Sequence, residues 1–337
     1  TNERRGIARL IQGLRNEGLS GDMANELLSI IVANYNNQKY LSICIRSILE
    51  QTYSPLEVVI YDDGSTDGSQ EVIKEFEANL SGSCKVILGK QNKGVAIARH
   101  LAANAAKGAF ITTLDSDDFY YDPCKLEREM EVLLDYRDRR EEDVIAFSNI
   151  VIVNADGDFV RREGNGGRIK EGMIFEEILA RSCMIPRDFV LPRQAYYACG
   201  GYDTGLKTHE DWDLKIRLAR GFKFAYSGGD GTAYRRHAEG LSSISHHART
   251  RNLWKVFCKN IGIEAKGRRD RVRRSFIQFM VRRDANYLRN IQNAAKGEAQ
   301  GGDSMRSRFE VKKEQAICWI IRALYGYKSK MLVHADS

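Results

Sequence analysis

Proline is scarce, with 4 in 337 residues, and apolar residues reach 43% against 29% charged. That composition excludes a largely disordered chain and predicts one that folds over most of its length. Cysteine is present but without pattern. The seven (Cys44, Cys84, Cys124, Cys183, Cys199, Cys258 and Cys318) are far apart, odd in number and never form Cys-x-x-Cys. This argues against a disulfide scaffold or a zinc site and for a reducing compartment. No apolar run approaches the ~20 residues of a membrane-spanning helix, and no signal peptide opens the sequence. A soluble, cytoplasmic protein is expected. Residue 1 is Thr, not Met, so a processed product or a piece of a longer protein is expected.

The length exceeds that of one compact domain, which suggests a main domain with an appendage. The net charge of +7 is uneven: residues 249 to 289 carry 13 Lys/Arg against 3 Asp/Glu. That excess is larger than the charge of the whole chain, so the remainder is slightly acidic, as a metal-binding domain can be. Residues 3 to 15 place Ile7, Leu10, Ile11 and Leu14 at the spacing of a short amphipathic helix. Leu27 to Val32, Leu56 to Tyr61, Lys85 to Leu88 and Ala109 to Leu114 are apolar runs that suit strands buried on both faces. Helical patterns at Tyr40 to Gln51, Ser69 to Ala78 and Val95 to Ala106 alternate with them. Asp67 is the expected N-cap of the second. The alternation predicts βαβ crossovers and a mostly parallel, Rossmann-like sheet with helices on both faces.

Further on, a helix is expected at Lys125 to Tyr136 and a hairpin around Asp156-Gly157, joining Val144 to Val153 with Phe159 to Arg161. Helices at Met173 to Ala180 and Trp212 to Arg220 follow, separated by a connecting segment to Tyr202. The last expected strand is Lys223 to Tyr226, with Gly228, Gly229 and Gly231 loosening the chain before Tyr234-Arg235-Arg236-His237. Beyond about residue 248 the pattern becomes helical and basic. The expected division is 1-26 as a helical lead-in, 27-247 as the catalytic domain and 248-337 as the basic helical region.

Open α/β sheets bind ligands at the carboxyl ends of their strands. Three of the four predicted strands end there in polar chemistry: Asn34-Tyr35-Asn36, Asp62-Asp63, and Asp115-Ser116-Asp117-Asp118. Crowded carboxylates repel one another unless a cation compensates them, and hard oxygen ligands select Mg²⁺ or Mn²⁺. An ion shared with a diphosphate would neutralise a leaving group; the competing interpretation is a solvated turn. Asp62-Asp63 is either a turn eased by Gly64 or a hydrogen-bond acceptor for a base or ribose. Arg99, one turn into its helix, either faces solvent or faces a diphosphate. Glu210, Asp211 and Asp213 lie at a helix start, where the helix dipole alone favours them. They also offer a carboxylate able to take a proton from an acceptor hydroxyl. His237 is a candidate ligand or a structural histidine.

In order and spacing, SIIVANYNNQKYLSICIRSILEQTY, EVVIYDDGSTDGS, NKGVAIARHLAANAAKGAFITTLDSDD, CGGYDTGLKTHEDWDL and YRRHAEGLSS resemble glycosyltransferase family 2. The match runs from about Leu27 to about Ser243. The resemblance implies a GT-A fold and an inverting transferase using a nucleoside diphosphate sugar, with UDP- or dTDP-sugars favoured. It places Ala33, Tyr35, Asp63 and Arg99 beside the nucleotide, Asp63 reading uracil or thymine. Asp115 and Asp117 form the family's Asp-x-Asp motif around Ser116, and Asp117 is the implied direct ligand of Mn²⁺ or Mg²⁺. Asp211 corresponds to the catalytic base, and Glu210 to a residue orienting acceptor or donor. His237 falls where some members put a metal or phosphate contact. The sequence departs from the family pattern at Ala33-Asn34, where Pro-Thr or a similar pair is common. It has no Gln-x-x-Arg-Trp motif, which weighs against a processive polymerase.

The rival enzyme class, a sugar nucleotidyltransferase, needs a glycine-rich basic loop after the first strand, where this chain has Asn34-Tyr35-Asn36-Asn37. A dinucleotide-dependent oxidoreductase needs Gly-x-Gly-x-x-Gly there, which is absent. The non-enzyme rival is a basic protein that binds nucleic acid or anionic lipid through residues 249 to 289. That tract is either a solvated helical face or a surface helix against an anionic leaflet that carries lipid-linked acceptors. Ala316 to Leu324 is apolar enough to pack on the catalytic domain, a partner chain or a membrane.

Overall fold

The computed structural model describes residues 26–79, 82–163, 169–237, 245–262 and 266–299. The helix expected at residues 3 to 15 and the apolar segment 316 to 324 lie outside them. Two compact units emerge, residues 1–178 with 183–240, and residues 179–182 with 241–337.

The first unit is built on a five-stranded sheet of order β3-β2-β1-β4-β8. Its strands are β1 (Leu28–Asn34), β2 (Leu56–Asp62), β3 (Cys84–Leu88), β4 (Phe110–Asp115) and β8 (Leu191–Pro192). The first four pair in parallel and β8 pairs antiparallel with β4. Burial of Leu28 through Val32 of β1 explains its apolar run, since a central parallel strand is covered on both faces. Leu28, Ile30 and Val32 share one core with Leu41, Cys44, Ile45 and Ile48 of α1 (Gln38–Leu49). Leu126, Met130 and Leu133 of α4 (Lys125–Arg140) complete it. Helix α2 (Ser69–Asn79) begins where expected, and Asp67 accepts from the Ser69 N–H at 3.0 Å. The other Asp67 oxygen accepts from the Gln38 N–H at 2.9 Å, so one carboxylate ties the starts of two helices. Helix α3 (Val95–Ala105) packs on β1 and β2 and buries Ala96, Ala98, Ala102 and Ala103, small side chains that permit close approach.

A second sheet, of order β5-β9-β6-β7, corrects the expected end of the domain. It contains β5 (Phe119–Tyr120), β6 (Val144–Val153), β7 (Phe159–Glu163) and β9 (Lys223–Arg235). The hairpin of β6 and β7 forms as expected, but β6 also pairs in parallel with β9, which makes a crossover as well. The expected four-residue strand at Lys223 runs instead through the glycines to Arg235. Gly228 and Gly229 take φ of 79° and 72°, and the ladder shifts register beside them. The glycines therefore make a bulge that bends the strand without ending it. The segment before Tyr202 is not merely connecting: it supplies β8 and α6 (Arg193–Ala198). After α5 (Phe175–Ala180), the helix expected from Trp212 begins two residues earlier, as α7 (Glu210–Leu218).

Beneath β6 and β9 lies a buried ionic group. Lys125 is fully buried; its Nζ donates to Glu129 Oε2 at 2.8 Å and to the Asp188 carbonyl at 3.0 Å. The Ser148 hydroxyl donates to the other Glu129 oxygen at 2.7 Å. Burial pushes the Glu129 carboxyl up to about 7, although Lys125 opposes the rise.

The second unit contains α8 (His246–Ile261) and α9 (Lys266–Ala299). The rings of Phe257 and Phe276 stack at 4.0 Å, and Trp254 meets Phe276 edge-on at 5.1 Å. His246 lies 2.9 Å from Asp284 and stacks on Tyr287 at 3.8 Å. No helix among the described residues is long and apolar enough to cross a membrane.

Replacing Lys125 by Met strands a buried carboxylate and should lower unfolding free energy by ~3–5 kcal/mol in urea titrations at about pH 8. The stranded Glu129 then has a folded pKa raised far above its unfolded one. Its penalty is therefore small at low pH and grows as pH rises, so the deficit should shrink toward about pH 5. A deficit that does not vary with pH would contradict this assignment.

Candidate functional site

Register brings the three polar strand ends together. Ala33 pairs with Tyr61 of β2 and with Asp115 of β4, and Asn34 pairs with Asp62. The loops after these strands are then tied by side chains. Asp62 is fully buried and receives Asn34 Nδ2 at 2.8 Å, the Ser65 N–H at 2.9 Å and Gln70 Nε2 at 2.9 Å. Its role is to fold the loop. Asn37 Nδ2 donates to the Ser116 hydroxyl at 2.9 Å, so buried Ser116 links two loops. Tyr35 is exposed.

Asp63 is buried and collects backbone donors: the Lys93 N–H at 2.9 Å and the Gly94 N–H at 2.7 Å. These are the groups just ahead of α3. Gly64 takes φ of 77° beside it, and a Cβ there would come within 2.7 Å of the Gln91 backbone. Only glycine lets these two loops touch. Among the described residues, Asp63 Oδ1 receives only the longer Lys93 contact, 3.0 Å, and retains lone-pair capacity for a further donor.

At the end of β4, Asp115, Asp117 and Asp118 bring carboxylate oxygens within 4.8 Å of one another. Asp117 Oδ2 lies 2.9 Å from His237 Nε2. The His237 ring packs 4.9 Å from that of Tyr40, and its buried Nδ1 has no hydrogen-bond partner among the described residues. Three hard oxygen donors and one imidazole suit Mg²⁺ or Mn²⁺, so these residues fit the ion that the sequence implies. Arg99 and Arg187 also contact the cluster. Arg99 is buried and pairs with Asp115 through one nitrogen and with Glu210 through the other. Arg187 Nε lies 2.7 Å from the second Asp115 oxygen, and its Nη2 pairs with Asp118. Burial raises the Asp115 carboxyl, but Arg187 and Arg99 outweigh this and hold it below the usual carboxylate range.

Glu210 and Asp211 open α7 and diverge. Glu210 is buried against Arg99, while the Asp211 side chain keeps 28% of its surface exposed. Lys215, one turn along α7, donates to Asp211 Oδ2 at 2.8 Å and to the Ile185 carbonyl at 3.1 Å. Burial raises the Asp211 carboxyl, yet Lys215, with Arg99 and His209, holds it far below its ordinary value. It is ionised at neutral pH.

A model of glycosyl transferase family 2 matches residues 29–203, about half of the chain. The chain belongs to glycosyltransferase family 2. Among relatives in this family, the glycosyltransferase GlyG of Streptococcus pneumoniae is 33% identical over 158 residues, 47% of this chain and 50% of that protein. The chain spans between half and two thirds of the length of the first curated relatives it matches. Two solved structures share the GT-A fold. S. aureus TarS 1-349 in complex with UDP-GlcNAc gives a TM-score of 0.59 at 17% identity, covering 74% of this chain and 71% of that one. The mannosyltransferase PcManGT from Pyrobaculum calidifontis, in complex with GDP-Man and Mn²⁺, gives 0.57 at 16% identity, covering 96% and 91%.

Three contributors were not foreseen from sequence. Lys215 carries a signal, its i+4 spacing from Asp211 on a helix. Arg235 donates to the Asp117 carbonyl at 2.9 Å, and its N–H donates to Asp118 at 2.8 Å. Arg187 sits in a segment without a motif. Asp63→Ala would leave the Lys93 and Gly94 N–H groups without acceptors, and thermal unfolding should report a loss of about 2 kcal/mol. A residue serving only to touch a base would leave the ligand-free melting temperature unchanged.

Proposed function

We propose that this chain is an inverting, divalent-metal-dependent glycosyltransferase acting in glycan or polysaccharide assembly. The donor is a nucleoside diphosphate sugar, UDP- or dTDP-linked, and the acceptor is a hydroxyl. The observation that carries the proposal is the double ion pair of Arg99. One guanidinium joins Asp115 of the acidic cluster to Glu210 beside Asp211, so donor-side and acceptor-side carboxylates belong to one network. Family membership supports the same reaction class. The UDP-GlcNAc, GDP-Man and Mn²⁺ named for the two fold relatives support the donor class and the metal.

In this mechanism Ala33 and Tyr35 border the nucleoside, and Asp63 offers its free lone pair to the N3–H of uracil or thymine. Asp117 is the leading metal ligand, with Asp115 and His237 beside it. Mn²⁺ or Mg²⁺ held by these residues would supply charge neutralisation for the departing diphosphate. Arg99 fixes Glu210 and so orients the first turn of α7. Asp211, half-buried and ionised, takes the proton of the acceptor hydroxyl, whose oxygen attacks the anomeric carbon opposite the diphosphate. The C1–O bond to the diphosphate breaks, the new glycosidic bond forms, and the centre inverts. Residues 27-247 would form the catalytic domain in this scheme, and residues 248-337 a basic helical region.

Asp211→Asn should reduce transfer by at least ~10²-fold while leaving the Kd for UDP with Mn²⁺, measured by calorimetry, within a factor of about two. Near-normal turnover would remove Asp211 as the base. Wild-type protein should melt at higher temperature with UDP plus Mn²⁺ than with either alone.

The basic region supports a peripheral membrane role. Arg271, Arg274, Arg282 and Arg289 are exposed on α9 at spacings that helical periodicity puts on one side. Flotation with vesicles rich in anionic lipid should retain the chain at low salt and release it as ionic strength rises. Absence of binding at low salt would eliminate membrane docking.

A further inference from the structure

Arg187 is held as though its position matters. Its backbone N–H donates to the Tyr234 hydroxyl at 2.8 Å, and that hydroxyl donates to Asp188 at 2.6 Å. Its guanidinium carbon lies 4.0 Å from the centroid of the Tyr234 ring, a cation–π contact. From this platform it reaches Asp115 at 2.7 Å and pairs with Asp118, two of the three clustered carboxylates. Arg99 takes the remaining Asp115 oxygen. Two of the three clustered carboxylates, Asp115 and Asp118, thus meet guanidiniums, while the third, Asp117, meets His237.

A divalent ion drawn to these oxygens meets fixed positive charge on both Asp115 and Asp118, and like charges at such range repel strongly outside bulk water. We propose that Arg187 is an internal cation competing with the divalent metal for the Asp115–Asp118 cluster. The nucleotide-free protein then holds the ion weakly, and a diphosphate, by offering the guanidinium another anion, couples metal uptake to donor binding. This rests on the metal-dependent mechanism above and adds a regulating residue to that site. Arg187 acts through the carboxylates and is a positioning residue rather than a catalytic one.

The test is Mn²⁺ binding to the full chain, read from the electron paramagnetic resonance signal of free Mn²⁺, without nucleotide and then with UDP. Arg187→Gln, which removes the charge at similar length, should bind Mn²⁺ on the order of tenfold more tightly than wild type when nucleotide is absent. UDP should raise the Mn²⁺ affinity of wild type by a larger factor than that of the variant. Arg187→Lys keeps a cation but not the two-carboxylate fork and should fall between them. It also provides the comparison if Arg187→Gln does not fold, as judged by circular dichroism. A folded Arg187→Gln or Arg187→Lys with wild-type or weaker Mn²⁺ affinity without nucleotide would overturn the proposal. If wild type takes up no Mn²⁺ even with UDP, the metal-dependent mechanism itself fails, and that result is distinguishable because it does not depend on any variant.

Discussion

A guanidinium cannot be buried without compensating charge, and Arg99 finds that charge on two elements far apart in the chain. Its partners are Asp115, at the end of a central strand, and Glu210, 111 residues from Arg99 at the start of α7. Each carboxylate would be costly to bury alone, and so would the arginine. Together they fix where α7 begins relative to the sheet. That start is what brings Asp211 to the acidic edge, so the candidate chemistry depends on this ion pair more than on any single apolar contact.

The rest of the edge follows a similar logic with weaker bonds. Asp62 and Asp63 are adjacent yet serve different ends. Asp62 turns inward to fold the loop after β2 through Asn34, Ser65 and Gln70, whereas Asp63 gathers backbone donors at the entrance to α3. Backbone N–H groups ahead of a helix are unsatisfied donors that favour an anion. A carboxylate supplied by the chain meets that need and keeps part of its capacity open. Asn37 and Ser116 then tie the β1 loop to the acidic cluster, and Arg235 ties the end of β9 to it. Four strand ends are thereby cross-linked around one set of carboxylates.

Much of this was legible in the residues. Strands β1, β2 and β4 are buried on both faces, so their apolar runs stood out, and the polar residues directly after them were recognisable as site candidates. What escaped detection had physical causes. The glycines of β9 read as a loop because glycine marks turns more often than strands, yet here their positive φ builds a bulge against β6. Strand β8 has two residues and carries no periodicity at all. Arg187 reaches the site from a segment with no repeat or motif, and its partners come together only after the sheet forms. Its side chain could be identified only by what it touches.

The division between Glu210 and Asp211 shows how local geometry can separate two adjacent carboxylates. Successive residues on an α-helix are turned by roughly 100°, so two acids in one first turn cannot share one environment. Glu210 faces inward and meets Arg99, which makes it a structural anion whose proton affinity is tied to a buried pair. Asp211 is half-buried, and although burial raises its carboxyl, Lys215, one turn later on the same helix, holds it ionised. A carboxylate held this low stays ionised near neutral pH. Its proton affinity rises if the Lys215 contact loosens or another negative charge draws near. In the proposed reaction a diphosphate leaving group beside Asp115 would be such a charge. The same arrangement that keeps Asp211 ready at rest would then strengthen it as a proton acceptor when charge develops on the donor side.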